Sequence, residues 1–191
     1  MDLPSWASAE EDKPAPMPLL RVQAFVNTLD VDQGTDLLRD RDTASAWLGD
    51  AGLVTPGTGV SNPQLKLARD VREAIRALLR HNTGTGELDH DQLQTLRALA
   101  DGNRPTVGVE PDGTVSITAG AGSDLSDGLL GLLLSIGDAQ ADGTWSRLTL
   151  CANSECDWAF YDQSRNRQGA WCTMASCGNR MKNRRFRARE R

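Results

Sequence analysis

Apolar residues recur every three or four positions in several stretches of the chain, and this spacing predicts amphipathic helices. Four such stretches begin near Leu19, Asp42, Asn62 and Asp89. The third has the clearest start signal, because Asn62 is suited to cap a helix and Pro63 to occupy its first turn. Each helix is expected to bury one apolar stripe in a common core.

Two further patterns complete the first part of the chain. Strict alternation of apolar and polar residues on both sides of a Pro-Asp-Gly turn at 111–113 predicts a β-hairpin. The segment 129–136 is apolar nearly all round, which predicts a central buried helix that begins at Ser123 or Asp124. This part of the chain is therefore expected to be mainly helical, with one β-hairpin.

The four cysteines lie close together near the C-terminus. They are Cys151, Cys156, Cys172 and Cys177, arranged as two C-x4-C pairs. Each pair can direct two thiolates at one ion, so the spacing predicts a tetrahedral site for one structural zinc ion per chain. Two disulfides are one alternative, although no feature of the sequence suggests export to an oxidising compartment. An iron–sulfur cluster, which also uses four thiolates, is another.

Charge is divided unevenly along the 191-residue chain. Residues 1–146 carry 22 acidic and 11 basic residues, a net charge of −11, whereas residues 147–191 carry 4 acidic and 10 basic residues, a net charge of +6. A basic module joined to an acidic domain is typical of a surface that contacts nucleic acid or another polyanion. The alternative interpretation of the basic tail is a solvated helix end.

The sequence offers no pattern for membrane insertion or catalysis. Its longest apolar run is far shorter than the roughly 20 residues that cross a bilayer, and residues 1–18 are acidic and proline-rich, unlike a signal peptide. We therefore expect a cytoplasmic protein, with residues 1–18 disordered. His81 and His90 are the only histidines, and neither belongs to a catalytic pattern, so we do not expect an enzyme. Scarce lysine and isoleucine suggest a GC-rich bacterial genome.

The C-terminal segment resembles a CGNR zinc finger. The resemblance is carried by the four cysteines, by Trp158, Phe160, Asp162, Ser164 and Arg165, by Trp171 and Met174, and by the sequence Cys-Gly-Asn-Arg at 177–180. The segment departs from the family at 168–170, where Gln-Gly-Ala replaces residues that are often basic. The resemblance implies a small treble-clef-like finger over residues 147–191, hereafter the finger, that binds DNA.

The preceding region resembles the ABATE domain that accompanies this finger. The matching residues are Phe-Val-Asn-Thr at 25–28, Trp47, Leu48, Gly52, Leu53, Arg69, Arg72, Ile75 and Leu78. The resemblance implies a stress-induced transcription regulator, in which an N-terminal domain over residues 19–142 senses a small-molecule or protein signal. The whole chain is then expected to have an α+β fold, mainly helical in the N-terminal domain.

The finger ends in a basic helix that supplies most of the candidate DNA contacts. The candidates are Arg165, Arg167, Arg180, Lys182, Arg184, Arg185, Arg187 and Arg189. Guanidinium groups suit phosphate oxygens and guanine edges. Arg180 has an alternative role, which is to offset the charge of the zinc–thiolate centre. The alternative function for the whole finger is an RNA- or protein-binding module in which zinc is purely structural.

Overall fold

The computed structural model describes residues 3–9, 11–84, 86–120 and 124–189. Within these ranges the chain is α+β, as predicted, with a mainly helical N-terminal domain. The helices are α1 (Leu19–Val26), α2 (Arg41–Asp50), α3 (Asn62–Asn82), α4 (His90–Gly102), α5 (Leu125–Ala141) and α6 (Asn179–Arg189). Three two-stranded antiparallel sheets pair β1 (Leu29–Asp30) with β2 (Thr35–Asp36), β3 (Thr106–Val109) with β4 (Val115–Thr118), and β5 (Leu148–Leu150) with β6 (Ala159–Tyr161).

Polar caps fix where the helices begin. Helix α3 starts with a capping box, in which Ser61 and Gln64 exchange hydrogen bonds, so the cap lies one residue before the predicted Asn62. Asp89 caps α4 as predicted, and Asp124 caps α5. The other predicted cap of α5, Ser123, lies outside the described residues. None of the helices in the described ranges is both long and apolar enough to span a membrane.

One apolar core joins the N-terminal domain to the start of the finger. Helices α1, α3 and α5 pack around it, and Phe25 and Ile75 are fully buried there. The β5–β6 hairpin belongs to the finger, yet its Leu148, Leu150 and Ala159 lie in this same core. A second, smaller core surrounds the cysteines and contains Trp158 and Phe160, with Trp171 packed against it. The finger is therefore docked on the N-terminal domain through a shared core.

Two buried arginines of α3 hold the short β1–β2 hairpin. Arg72 donates to both carboxylate oxygens of Asp36, at 2.6 and 3.1 Å, and Arg76 donates to the Val26 carbonyl at 2.8 Å. Burial opposes ionisation of Asp36, but the hydrogen bonds from Arg72 and from the Leu38 N–H, together with the positive charges of Arg72 and Arg69, outweigh it and lower the pKa of this carboxyl. These contacts fix the loop between β1 and β2, which carries Asp32.

The N-terminal segment packs against α1 and the finger, which differs from the expected disorder. Ala15 is buried, and its N–H donates to Gln23 Oε1 at 2.7 Å. Lys13 donates from Nζ to the Trp171 carbonyl at 2.6 Å, and its own carbonyl accepts from the Tyr161 N–H at 2.9 Å. Acidic and proline-rich composition did not prevent order, because the backbone of this segment finds partners on both halves of the molecule.

Candidate metal centre and nucleic-acid interface

The four cysteine sulfurs form one buried cluster. Cys151 directly follows β5, and Cys156 lies in the turn that leads to β6. Cys172 follows a long loop, and Cys177 lies in a π-helical turn, Met174–Gly178, immediately before α6. One ligand atom from each of the four lies within 4.8 Å of all the others. The turn between β5 and β6 and the segment that leads into α6 thus each direct two sulfurs at a single point.

The spacing of the sulfurs fits a tetrahedral zinc ion. Zn–S bonds of about 2.3 Å place neighbouring sulfurs about 3.8 Å apart, and Cys156 Sγ lies 3.7 Å from Cys172 Sγ. A disulfide would need about 2.05 Å, and all four cysteines are free. The alternative of two disulfides is therefore wrong.

Hydrogen bonds link the thiols of Cys151, Cys156 and Cys172, so that the titration of each depends on the other two. Hydrogen bonds from Cys156 and Cys172 stabilise the Cys151 thiolate and lower its pKa to about 2. The same hydrogen bonds raise the pKa values of the two donor thiols. The pKa of Cys156 rises, and the pKa of Cys172 rises to about 12. A divalent cation at the centre replaces the shared protons and favours all four thiolates. The pocket is built to hold a positive charge.

Arg180 links this cluster to the N-terminal domain. One of its terminal nitrogens donates to Cys177 Sγ at 3.3 Å, and the guanidinium forms two 2.6 Å hydrogen bonds with the carboxylate of Asp32. These hydrogen bonds hold the pKa of Asp32 below its usual value and raise that of Arg180. Asn153 also donates to Cys177 Sγ, at 3.6 Å. Of the two roles expected for Arg180, the structure shows contacts for the one beside the sulfur.

The side chain of Asn27, at the end of α1, binds the finger through both backbone polar groups of Ala159, as a neighbouring strand would. Its side-chain oxygen accepts from the Ala159 N–H at 2.8 Å, and its side-chain nitrogen donates to the Ala159 carbonyl at 2.9 Å. A further ion pair connects Arg80 of α3 with Asp157 of the finger. Sequence reasoning missed these contacts, although Asn27 belongs to the Phe-Val-Asn-Thr segment that carried the ABATE resemblance.

The outward side of α6 is cationic and open to solvent. Lys182 and Arg187 are exposed, and so is Phe186, at 63%. Arg184 is exposed and forms an ion pair with Glu155. The side chains of Arg185 and Arg189 lie outside the description. Two of the candidate DNA contacts, Arg180 and Arg184, thus turn towards the protein's own carboxylates.

A loop at 162–169 presents the other two candidate arginines. Its organising residue is the buried Asp162, which accepts from the backbone N–H groups of Ser164 at 2.9 Å and Gly169 at 2.7 Å. Burial opposes ionisation of Asp162, but these donors outweigh it and lower its pKa. Arg165 and Arg167 are exposed on this loop, and Arg167 donates to Ser146 Oγ at 2.8 Å.

Comparison with known families covers both parts of the chain. Residues 147–190 match the CGNR zinc finger, and residues 21–144 match the ABATE family, described as a putative stress-induced transcription regulator. Neither description is that of an enzyme, and no curated protein matches the chain. The cysteine cluster within a CGNR finger confirms the prediction of one structural zinc ion over an iron–sulfur cluster. The chain belongs to the ABATE family and carries a C-terminal CGNR zinc finger.

Proposed function

We propose that this regulator binds double-stranded DNA through the outward side of α6. The observation that supports the proposal most strongly is the composition and exposure of this helix. It has six basic residues among eleven and no acidic residue, and Lys182, Arg184 and Arg187 face solvent. In this proposal Cys151, Cys156, Cys172 and Cys177 hold the zinc ion, whose role is to orient α6.

The ion pairs of the finger divide its cations into two groups. Arg180 is held by both Asp32 and Cys177, so we assign it to positioning the finger. The Arg184–Glu155 pair is more than half exposed on both sides. Such a pair contributes little to stability and exchanges readily for a phosphate. Lys182, Arg184 and Arg187 are therefore the main proposed phosphate contacts, with Arg165 and Arg167 on the neighbouring loop. Arg185 and Arg189 remain candidates from the sequence.

The N-terminal domain is proposed to regulate the finger in response to a small-molecule or protein signal. Support comes from the contacts that cross the boundary, among them Arg180 with Asp32 and Arg80 with Asp157. A cleft of about 580 Å³ lies at this junction and is lined by both parts, including Arg80, Asn82, Cys151 and Gln168. A ligand in that cleft would contact the finger directly. It would shift the orientation of the finger on the N-terminal domain if it bound one orientation more tightly than another.

The test measures affinity for duplex DNA across a salt series with the zinc-loaded full chain. Each phosphate contact contributes about −0.9 to the slope of log K against log salt. Replacing both Lys182 and Arg187 by Ala should flatten that slope by about 1 to 2. The matched control is Arg97→Ala, which removes an exposed arginine from α4 and should leave the slope unchanged. Equal slopes for the wild type and the double variant would contradict the proposal.

A second candidate function is binding of unpaired nucleic acid such as RNA, and the exposed Phe186 favours it. An aromatic ring among cations is the arrangement on which unpaired bases stack, at about 1 to 3 kcal/mol per base. Phe186→Leu keeps the apolar character but removes the ring. A selective loss of affinity for single strands, with duplex affinity retained, would favour this candidate. Equal effects on both substrates would favour the duplex.

A further inference from the structure

The β3–β4 hairpin exposes an entirely aliphatic face. In its register Val107 pairs with Ile117 and Val109 with Val115, so the four side chains lie on one face. Each of these residues is between 59% and 71% exposed. Isolated exposed valines need no explanation, but four β-branched side chains on one face of a two-stranded ribbon form a patch. A two-stranded sheet is also only marginally stable by itself in water.

Among the described residues, no main-chain hydrogen bond reaches the outer edge of β3. The N–H of Glu110 donates to the Thr114 carbonyl at 2.8 Å, which makes that pair a hydrogen-bonded one. Hydrogen-bonded and non-hydrogen-bonded pairs alternate in an antiparallel ladder. Val107 and Val109 therefore direct their N–H and C=O groups away from β4. Helix α5 packs beside β4, so β3 is the outer strand.

The sequence of this edge is nearly symmetric about Gly108. Residues 105–111 read Pro-Thr-Val-Gly-Val-Glu-Pro. When two such edges pair antiparallel about Gly108, Val107 of each copy meets Val109 of the other. In this register the outward N–H and C=O groups of all four valines are paired, and Pro105 of one copy meets Pro111 of the other at each end. Shifting the pairing by two residues in either direction instead places a proline opposite a valine, and the valine carbonyl loses its donor because proline has no N–H. The two prolines thus favour the register centred on Gly108.

We propose that two copies of this chain associate through their β3 edges across a two-fold axis at Gly108, forming one four-stranded sheet. Each of the two Val107–Val109 pairs would exchange two backbone hydrogen bonds. Glycine at the axis suits the close approach of a non-hydrogen-bonded pair, about 4.5 Å between Cα atoms. Neighbouring valines of the two copies would cover part of each other's exposed surface.

Charge at the two ends of the edge also favours a second copy as the partner. Beyond the ends of the strands, this register brings Arg104 of one copy towards the turn of the other copy that carries Asp112, and the same approach repeats at the opposite end. Both residues are exposed, and Arg104 forms no ion pair within the described residues. The acidic Glu110 and Asp112 at the hairpin tip would repel a nucleic acid. The interface is isologous, as a two-fold dimer requires.

The first test is the mass of the zinc-loaded full chain in sedimentation equilibrium over a concentration series. We expect a monomer–dimer equilibrium that Val109→Pro shifts at least tenfold towards monomer, because the variant removes an outward N–H at the centre of the edge. Val115→Pro is the matched control. Val115 lies opposite Val109 and on the same face of the hairpin, but it belongs to β4 and not to the β3 edge. This variant should therefore leave the monomer–dimer equilibrium unchanged. Circular dichroism checks that both variants fold.

The second test exchanges the charges. Arg104→Asp should weaken the dimer by placing two acidic groups together, and combining it with Asp112→Arg should restore the association. Within one chain these residues lie at opposite ends of a strand, roughly 20 Å apart, so restoration requires contact between copies.

Three outcomes would overturn the proposal. A wild-type chain that stays monomeric at every concentration has no such interface. A dimer that Val109→Pro leaves intact uses another surface. Equal weakening by Val109→Pro and Val115→Pro would indicate that the aliphatic faces, and not the β3 edges, make the contact. None of these outcomes depends on whether α6 binds DNA, so the two proposals can fail separately.

Discussion

Glu11 is an acidic side chain that folding buries between the N-terminal segment and the finger. Burial raises its pKa to about 8, against the stabilising hydrogen bond from Asn27 Nδ2 at 2.9 Å. An unfolded glutamate titrates near 4.5. Between these pH values the folded protein holds a proton that the unfolded chain has released. The stability that this proton supplies is complete below the unfolded pKa and is lost as the pH rises through about 8.

We expect Glu11→Gln to remove this pH dependence, since glutamine stays neutral and keeps an oxygen for Asn27. Relative to the variant, the wild type should lose roughly 1 kcal/mol of unfolding free energy per pH unit between about pH 6 and about pH 8. Urea denaturation of the zinc-loaded protein at several pH values measures this slope. Glu87→Gln, at an exposed site, is the control. Parallel profiles for the wild type and Glu11→Gln would contradict the expectation.

At the functional site, residues set by local sequence spacing could be predicted, whereas residues set by a distant partner could not. The four cysteines could be grouped from their spacing, because short gaps within each pair constrain where the thiolates point. Asp32 could not be identified, since its partner Arg180 lies 148 positions away and an exposed aspartate in a loop has no distinguishing pattern. Contacts of this kind are set by tertiary packing alone.

Among the elements, long periodic ones were predictable and short ones were not. The stripes of α3 and α5 and the alternation of β3 and β4 repeat often enough to indicate their structure. Strands β1 and β5 have two and three residues, too few for a pattern. They exist because other elements pair with them: Arg76 donates to the Leu29 carbonyl at 3.3 Å, and β5 pairs with β6 inside the shared core.

The attachment of β6 to α1 gives a prediction for these elements. Asn27→Ala should lower the free energy of unfolding by about 1 to 3 kcal/mol, because the buried Ala159 N–H loses its acceptor. The Ala159 carbonyl keeps a donor in Gln23, at 3.3 Å, which limits the loss. Asn183→Ala, on the exposed side of α6, is the matched control and should change stability little. Urea denaturation compares the two, and equal effects would show that the Asn27 contacts add no stability.

At the scale of the whole molecule, the uneven charge suggests two separate bodies, but the packing makes them one. Leu148 and Leu150 of the finger lie in the core of the N-terminal domain, and ion pairs join Asp32 with Arg180 and Arg80 with Asp157. The opposite net charges thus meet at a few defined contacts, while the outward side of α6 stays open. The zinc cluster begins at Cys151, one residue after β5 ends in that core.

Zinc removal should therefore destabilise the helices as well as the finger. The purified protein should contain about one zinc per chain, and a chelator should lower the melting temperature of the helical signal by roughly 5 °C, equivalent to about 1 to 2 kcal/mol in a chain of this size. Cys172→Ser should do the same without chelator, whereas Ser154→Ala, an exposed residue of the first knuckle, should not. Far-ultraviolet circular dichroism reports the helices, and the indole N–H signals of Trp158 and Trp171 in nuclear magnetic resonance spectra report the finger. If chelation shifted only the transition of these indole signals, the finger would be melting independently, and the shared core would not couple the two parts.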